Sequence, residues 1–178
     1  MHPRLRDYFH AEVIGGKEKP FSWRRVFQKA MRSKRCNYIF WFRIAYVLYA
    51  KNSRTLKSLA KNINNRMVRR YGVEIMLGAE IDEGLVLPHP IAIVITKHVC
   101  MGKNVTVLQN TTIGIDGKGN QGLTIGNNVW IGANCCIIGT GLRIGNDVRI
   151  GAMSFVNQDI PDRTTFVTPK EGRLIPWD

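Results

Sequence analysis

The chain has 178 residues, 44% of them hydrophobic, and a net charge of +13, which fits one compact domain with an appendage. Its four cysteines show no CxxC spacing, so the sequence favours reduced, cytoplasmic thiols, and no metal is expected. Residues 1–4 lack the apolar core of a secretory signal, and the most apolar segment, residues 38–50, is too short and too charged to cross a bilayer.

The positive charge belongs to the amino-terminal part of the chain. Residues 1–72 hold 18 Lys and Arg against three acidic residues, whereas residues 73–178 hold eight against ten. Any anionic partner surface is therefore expected on residues 1–72. A nucleic-acid partner is not expected, because no binding motif or base-stacking platform accompanies this charge.

Residues 1–20 are polar and contain two glycines and two prolines, which predicts a loosely ordered arm. The spacing of apolar residues then predicts helices over 21–35 and 38–50. A third helix is expected to begin at a Ser53 cap and to end at Gly72.

Two roles are open for this basic helical region, residues 1–72. It can cap the open end of a repeat domain, which needs such a cover. It can also hold the protein at an anionic membrane surface on the cytoplasmic side, because basic and aromatic side chains alternate along it. The residues proposed for that contact are Arg24, Arg25, Lys29, Arg32, Lys34, Arg35 and Arg43, beside Trp23, Phe40, Trp41 and Phe42.

From Ile75 to Val156 a β-branched or aliphatic residue recurs about every six positions, with one lapse between Thr112 and Leu123. Gly, Asn and Asp follow these residues and suit tight corners. A period of six fits neither a helix nor a simple strand, and it predicts a parallel β-helix with three short faces per coil over residues 73–158. The core positions are Ile75, Ile81, Leu87, Ile93, Val99, Val105, Thr111, Ile125, Ile131, Ile137, Ile144, Ile150 and Val156.

Two segments interrupt or end the repeat. The glycine-rich stretch between Thr112 and Leu123 is expected to be extruded from a binding face of the β-helix. In the tail, residues 159–178, Pro161, Pro169 and Pro176 are expected to stop the strand ladder, so that the tail covers the last coil.

Residues 125–134, with the sequence IGNNVWIGAN, resemble the hexapeptide-repeat acyltransferases. Residues 84–90 and 108–114 are similar to the serine acetyltransferase branch of that family, and the resemblance covers about 73–168. It implies a left-handed parallel β-helix, acetyl-CoA as the acyl donor, and a homotrimer with the acetyl-CoA cleft between subunits.

The resemblance also implies the catalytic residues. His89 matches the family's general base, which takes the proton from the acceptor hydroxyl as the oxygen attacks the thioester. Glu74 falls where the family carries an aspartate that pairs with this histidine, 15 residues earlier and near one 18-residue coil. The alternative for Glu74 is a solvated surface acid.

The acetyl-CoA contacts implied by the resemblance lie further along the chain. Ala133 and Ala152 match small residues that line the pantetheine arm. Arg149 matches a basic position near the nucleotide phosphates, and Lys118 offers a second charge from the glycine-rich loop. The alternative is that these four are ordinary corner and loop residues.

Two departures from the family pattern bear on the acceptor. Pro88 stands where the family has an aspartate, and Gln121 ends the glycine-rich loop where the family has an arginine that grips the serine carboxylate. An amino acid needs such charges and a neutral sugar does not. The expected acceptor is therefore a sugar hydroxyl, free or lipid-linked, in surface polysaccharide biosynthesis, as in the similar capsule, O-antigen and exopolysaccharide O-acetyltransferases. Serine acetylation for cysteine biosynthesis and a non-catalytic scaffold are the alternatives.

Overall fold

A computed structural model of the protein describes residues 5–16, 18–117, 121–169 and 171. Helices come first and short strands follow. The helices are α1 Leu5–Phe9, continued by a π-helical turn His10–Ile14, then α2 Trp23–Arg32, α3 Lys34–Tyr49 and α4 Arg54–Tyr71. The strands are β1 Val73–Ile75, β2 Glu80–Ile81, β3 Ile93–Ile95, β4 Val99–Met101, β5 Thr106–Val107, β6 Thr112–Gly114, β7 Leu123–Ile125, β8 Trp130–Ile131, β9 Cys136–Ile138, β10 Arg143–Ile144, β11 Arg149–Ile150, β12 Phe155–Val156 and β13 Thr165–Phe166.

The strands form three parallel sheets, and each coil of the chain contributes one strand to each sheet. Face 1 is β1-β3-β6-β9-β12, face 2 is β2-β4-β7-β10, and face 3 is β5-β8-β11-β13. This arrangement confirms the predicted parallel β-helix with an amino-terminal helical region. Its left-handed sense stays an expectation drawn from the resemblance.

The core of the β-helix uses two inward residues per face. In β1, Val73 and Ile75 are buried while Glu74 between them points away from the axis. All thirteen predicted core positions are buried, and the one polar member, Thr111, donates from Oγ1 to the Gly132 carbonyl over 3.1 Å. The prediction of one inward residue per face was too simple, because the first coil has 20 residues and aligns Ile75 with Ile95.

Asparagine and aspartate close the corners, as the sequence predicted. Asn104, Asn128 and Asp147 have φ values of 57°, 56° and 56°, a left-handed conformation that these side chains tolerate. They stack in successive coils, where the side-chain amide of Asn104 donates to Asn128 and that of Asn128 donates to Asp147, over 3.1 and 3.0 Å.

The predicted helices are confirmed. Ser53 accepts a hydrogen bond from the Leu56 N–H, and Gly72 adopts φ 63° while its N–H bonds the Val68 carbonyl. No described helix combines the length and the apolar character that spanning a membrane requires.

The loosely ordered arm, in contrast, was a wrong prediction for residues 5–14. Tyr8 and Phe9 are buried, and Glu12 is 4% exposed. Glu12 forms an ion pair with Arg43 of α3, in which Nε lies 2.9 Å from Oε2, and Arg43 also donates to the Ile81 carbonyl over 2.8 Å. This contact docks the helices on the first coil, and because Arg43 is fully buried it cannot touch a membrane.

The prolines of the tail do not stop the ladder at residue 158. Ile160 bridges Ile144, and β13 pairs with β11, so the last coil runs to Phe166. Pro161 lies just after the Ile160 bridge, outside any strand, where its missing N–H costs no ladder bond. Pro176 lies outside the described residues.

The glycine-rich insertion is visible in the register. Val94 pairs with Thr112 at a distance of 18 residues, whereas Val99 pairs with Leu123 at 24. The extra residues fall between β6 and β7, as the lapse in the repeat predicted.

Candidate active site

His89 lies on an enlarged corner between face 3 and face 1. Five residues, 88–92, separate Leu87 from β3, whereas three, 108–110 and 132–134, fill the corresponding corner of the next two coils. The two extra residues move the chain outward, so that His89 is exposed and Ile91 is 49% exposed. Pro88 and Pro90 restrict the backbone on either side of the histidine.

A cavity of about 330 Å³ separates this corner from the first turn of α3. Its lining residues are Ser33, Lys34, Arg35, Pro88, His89, Pro90 and Ile91. Two of these residues are cations and none is an acid. The cavity therefore favours a ligand that carries negative charge close to the His89 imidazole.

The two cations differ in their surroundings. The Lys34 ammonium lies 5.9 Å from the centre of the Tyr71 ring, on the side of α3 that faces α4. The half-buried Arg35 guanidinium makes no hydrogen bond or ion pair with any described residue. Sequence reasoning placed both on a membrane surface and missed their position beside His89, because no periodic pattern links α3 to a corner of the β-helix.

Glu74 is half-buried in β1 and is paired in register with Val94 of the next coil. No hydrogen bond joins it to His89 in the part of the chain that the structure describes, and it does not line the cavity. The spacing of 15 residues was compared with an 18-residue coil, whereas the first coil has 20. The pairing of Glu74 with His89 stays a prediction.

The predicted cofactor residues lie along the same edge as His89. Ile131 pairs with Ile150, so Ala133 and Ala152 occupy equivalent corner positions in successive coils. A Cβ on Gly132 would lie 2.6 Å from the Ala152 nitrogen, so the tight stacking of this corner requires glycine there.

Arg149 is exposed on face 3 and pairs in register with Trp130. Gln109 occupies the same corner in the coil after His89, and its buried Oε1 has no hydrogen-bond partner among the described residues. Lys118 lies outside the described residues. The edge therefore carries His89 at one end and small corner residues further along.

No protein-family model matches the chain. It is 34% identical to the serine acetyltransferase of Helicobacter pylori over 135 residues, which cover 72% of this chain and 74% of that protein. It is 43% identical to the mitochondrial serine acetyltransferase 3 of Arabidopsis thaliana over 127 residues, 70% of this chain. The chain spans only 32% of the length of this plant relative.

Solved structures agree with these relatives. The Neisseria gonorrhoeae serine acetyltransferase in complex with serine superposes with a TM-score of 0.68 at 30% identity, over 90% of this chain and 62% of that one. A serine acetyltransferase in complex with CoA gives a TM-score of 0.66 at 27% identity, over 75% of this chain and 54% of that one.

The parallel β-helix and its helical cap therefore define a hexapeptide-repeat acyltransferase. Within that class, the chain belongs to the serine acetyltransferase family.

The prediction of a sugar acceptor in surface polysaccharide biosynthesis is wrong, because these relatives are named as serine acetyltransferases. A particular resemblance to capsule or O-antigen acetyltransferases is not shown either. The reasoning inspected only Pro88 and Gln121 for missing charges. It did not consider that α3 brings Arg35 to the cavity of His89.

Proposed function

We propose that the chain is an acetyl-CoA-dependent O-acetyltransferase whose acceptor is the hydroxyl of L-serine. The observation that carries this proposal is the 34% identity across 74% of the Helicobacter pylori serine acetyltransferase. Related structures bound to serine and to CoA support both substrates. The position of His89 at an open, positively charged cavity fits an acceptor that carries a carboxylate.

In the proposed reaction His89 acts as the general base. Its neutral imidazole takes the proton of the serine hydroxyl while the oxygen attacks the thioester carbonyl carbon. The tetrahedral intermediate then collapses, the carbon–sulfur bond breaks, and the imidazolium returns the proton to the departing CoA thiolate. Glu74, if it pairs with His89 when substrates are bound, would orient the imidazole.

The proposed path of acetyl-CoA follows the edge that carries His89. Ala133 and Ala152 leave room there for the pantetheine arm, and Arg149 is exposed to meet phosphate. Lys118 would add a second cation from the glycine-rich loop. We further propose that the protein is a homotrimer in which a neighbouring subunit closes this cleft.

The contact with an anionic membrane is a separate proposal, with a smaller set of residues than the sequence indicated. Phe42 and Arg43 are buried, which removes them from any such contact. Trp23 and Phe27 of α2 are 45% and 51% exposed, and Arg24 beside them is exposed as well. Exposed aromatic and basic side chains on one short helix support a peripheral contact at the cytoplasmic side of a membrane.

The proposed activity is tested by incubating the protein with acetyl-CoA and L-serine. Release of CoA thiol, measured with a thiol reagent, should depend on serine, and mass spectrometry should identify O-acetylserine. A matched reaction with L-alanine, which lacks the hydroxyl, should release thiol only at the background rate. Absence of serine-dependent thiol release would leave the non-catalytic scaffold as the better account.

A further inference from the structure

Arg35 is the one cation of the His89 cavity that is not engaged elsewhere among the described residues. Lys34 lies over the Tyr71 ring, whereas the Arg35 guanidinium is half-buried and makes no protein hydrogen bond or ion pair there. A partly desolvated guanidinium without a carboxylate partner is costly, and an anionic ligand would relieve that cost.

The cavity suits a small anion for two further reasons. Its lining residues include no acid that could compete for the guanidinium. It also opens onto the first turn of α3, a 16-residue helix whose amino-terminal end carries partial positive charge. At about 330 Å³ the space lies at the small end of ligand pockets, which fits an amino acid better than a nucleotide.

We propose that Arg35 binds the carboxylate of the acceptor amino acid and thereby places its hydroxyl beside His89. This inference rests on the proposed function and adds the residue that selects an amino-acid acceptor. Gln121, at the end of the glycine-rich loop, carries no charge and cannot supply this contact. Arg35 reaches the cavity from the helical cap, so the docking of the cap is needed for acceptor selection.

The contact can be separated from a general structural effect by comparing two acceptors. L-Serine carries the carboxylate, and L-serinamide replaces it with a neutral amide while keeping the hydroxyl and the amino group. Arg35→Gln should lower kcat/KM for L-serine by about 10- to 100-fold, the loss of a charged hydrogen-bonded pair, and should leave that for L-serinamide nearly unchanged. Arg35→Lys should recover part of the loss, because it keeps the charge without the two parallel N–H donors.

Arg66→Gln is the matched control, because Arg66 is an exposed arginine of α4 that does not line the cavity. It should leave both acceptors unaffected. The other source of a bound anion is a phosphate of acetyl-CoA, and in that case Arg35→Gln would raise KM for acetyl-CoA and reduce turnover of both acceptors equally. That result would overturn the inference.

The two proposals fail in different ways. If the wild-type protein acetylates L-serine and Arg35→Gln does so equally well, Arg35 has no role and the proposed function stands. If calorimetry shows that the wild type binds L-serine but not L-serinamide, and no acetylation follows, the carboxylate contact stands and the proposed function falls. Neither binding nor acetylation of L-serine would overturn both.

Discussion

Removal of Glu12 should destabilise the protein far more than loss of an ordinary ion pair. In the folded chain both Glu12 and Arg43 have side chains that are 0% exposed. Glu12 accepts from Arg43 and also from the Gly84 and Leu85 N–H groups over 3.1 and 3.0 Å. Glu12→Ala therefore leaves a buried guanidinium without its counter-charge and two backbone donors without an acceptor.

The expected cost of Glu12→Ala is about 3–5 kcal/mol in the free energy of unfolding, the range for breaking a buried pair from one side. Arg43→Met together with Glu12→Leu should cost less than either single change, because the Arg43 site, 3.9 Å from the Tyr8 ring, is apolar enough to accept methionine. Urea denaturation followed by circular dichroism at pH 7 measures each value.

The exposed pair Lys103–Glu83 is the control for this comparison. Its charged atoms are 3.3 Å apart and the Lys103 side chain is 55% exposed. Lys103→Ala should cost less than about 1 kcal/mol. The reasoning about the buried pair is refuted if Glu12→Ala also costs less than about 1 kcal/mol.

Three further outcomes are expected. Hydrogen bonds from the Asn146 backbone and side chain lower the pKa of Asp162, so its contribution to stability is present above about pH 4 and fades as pH falls through that lowered pKa; Asp162→Asn should lose this part of the acid dependence of the urea midpoint, and an unchanged profile would contradict it. Light scattering at micromolar concentration should give the mass of a homotrimer, and a fully active monomer would rule this out. Vesicles containing anionic lipid should sediment the wild type at low salt, less so at high salt or when Arg24 and Arg25 become Glu, whereas a protein that stays in the supernatant has no such contact.

Local signals in the sequence were enough for much of the fold. The corner asparagines and the aliphatic period predict the β-helix because each coil repeats the same short-range requirement. Ser53 and Gly72 likewise mark the ends of α4 through contacts within a few residues.

Long-range contacts account for what the sequence did not reveal. The segment Leu5–Ile14 reads as a polar arm until Glu12 meets Arg43 across the helical cap. The His89 cavity depends on two extra residues in one corner and on the docking of α3 beside it. No periodicity records either, so Arg35 could not be assigned to the site from the sequence.

The role of His89 is the central claim, and single-turnover acetylation of L-serine tests it most directly. His89→Ala should retain the circular dichroism spectrum and the urea midpoint of the wild type, because the side chain is exposed and makes no hydrogen bond in the described part of the chain. Its rate should fall by about 100-fold or more, as expected for loss of a general base. A folded His89→Ala protein that acetylates L-serine at the wild-type rate would contradict the account.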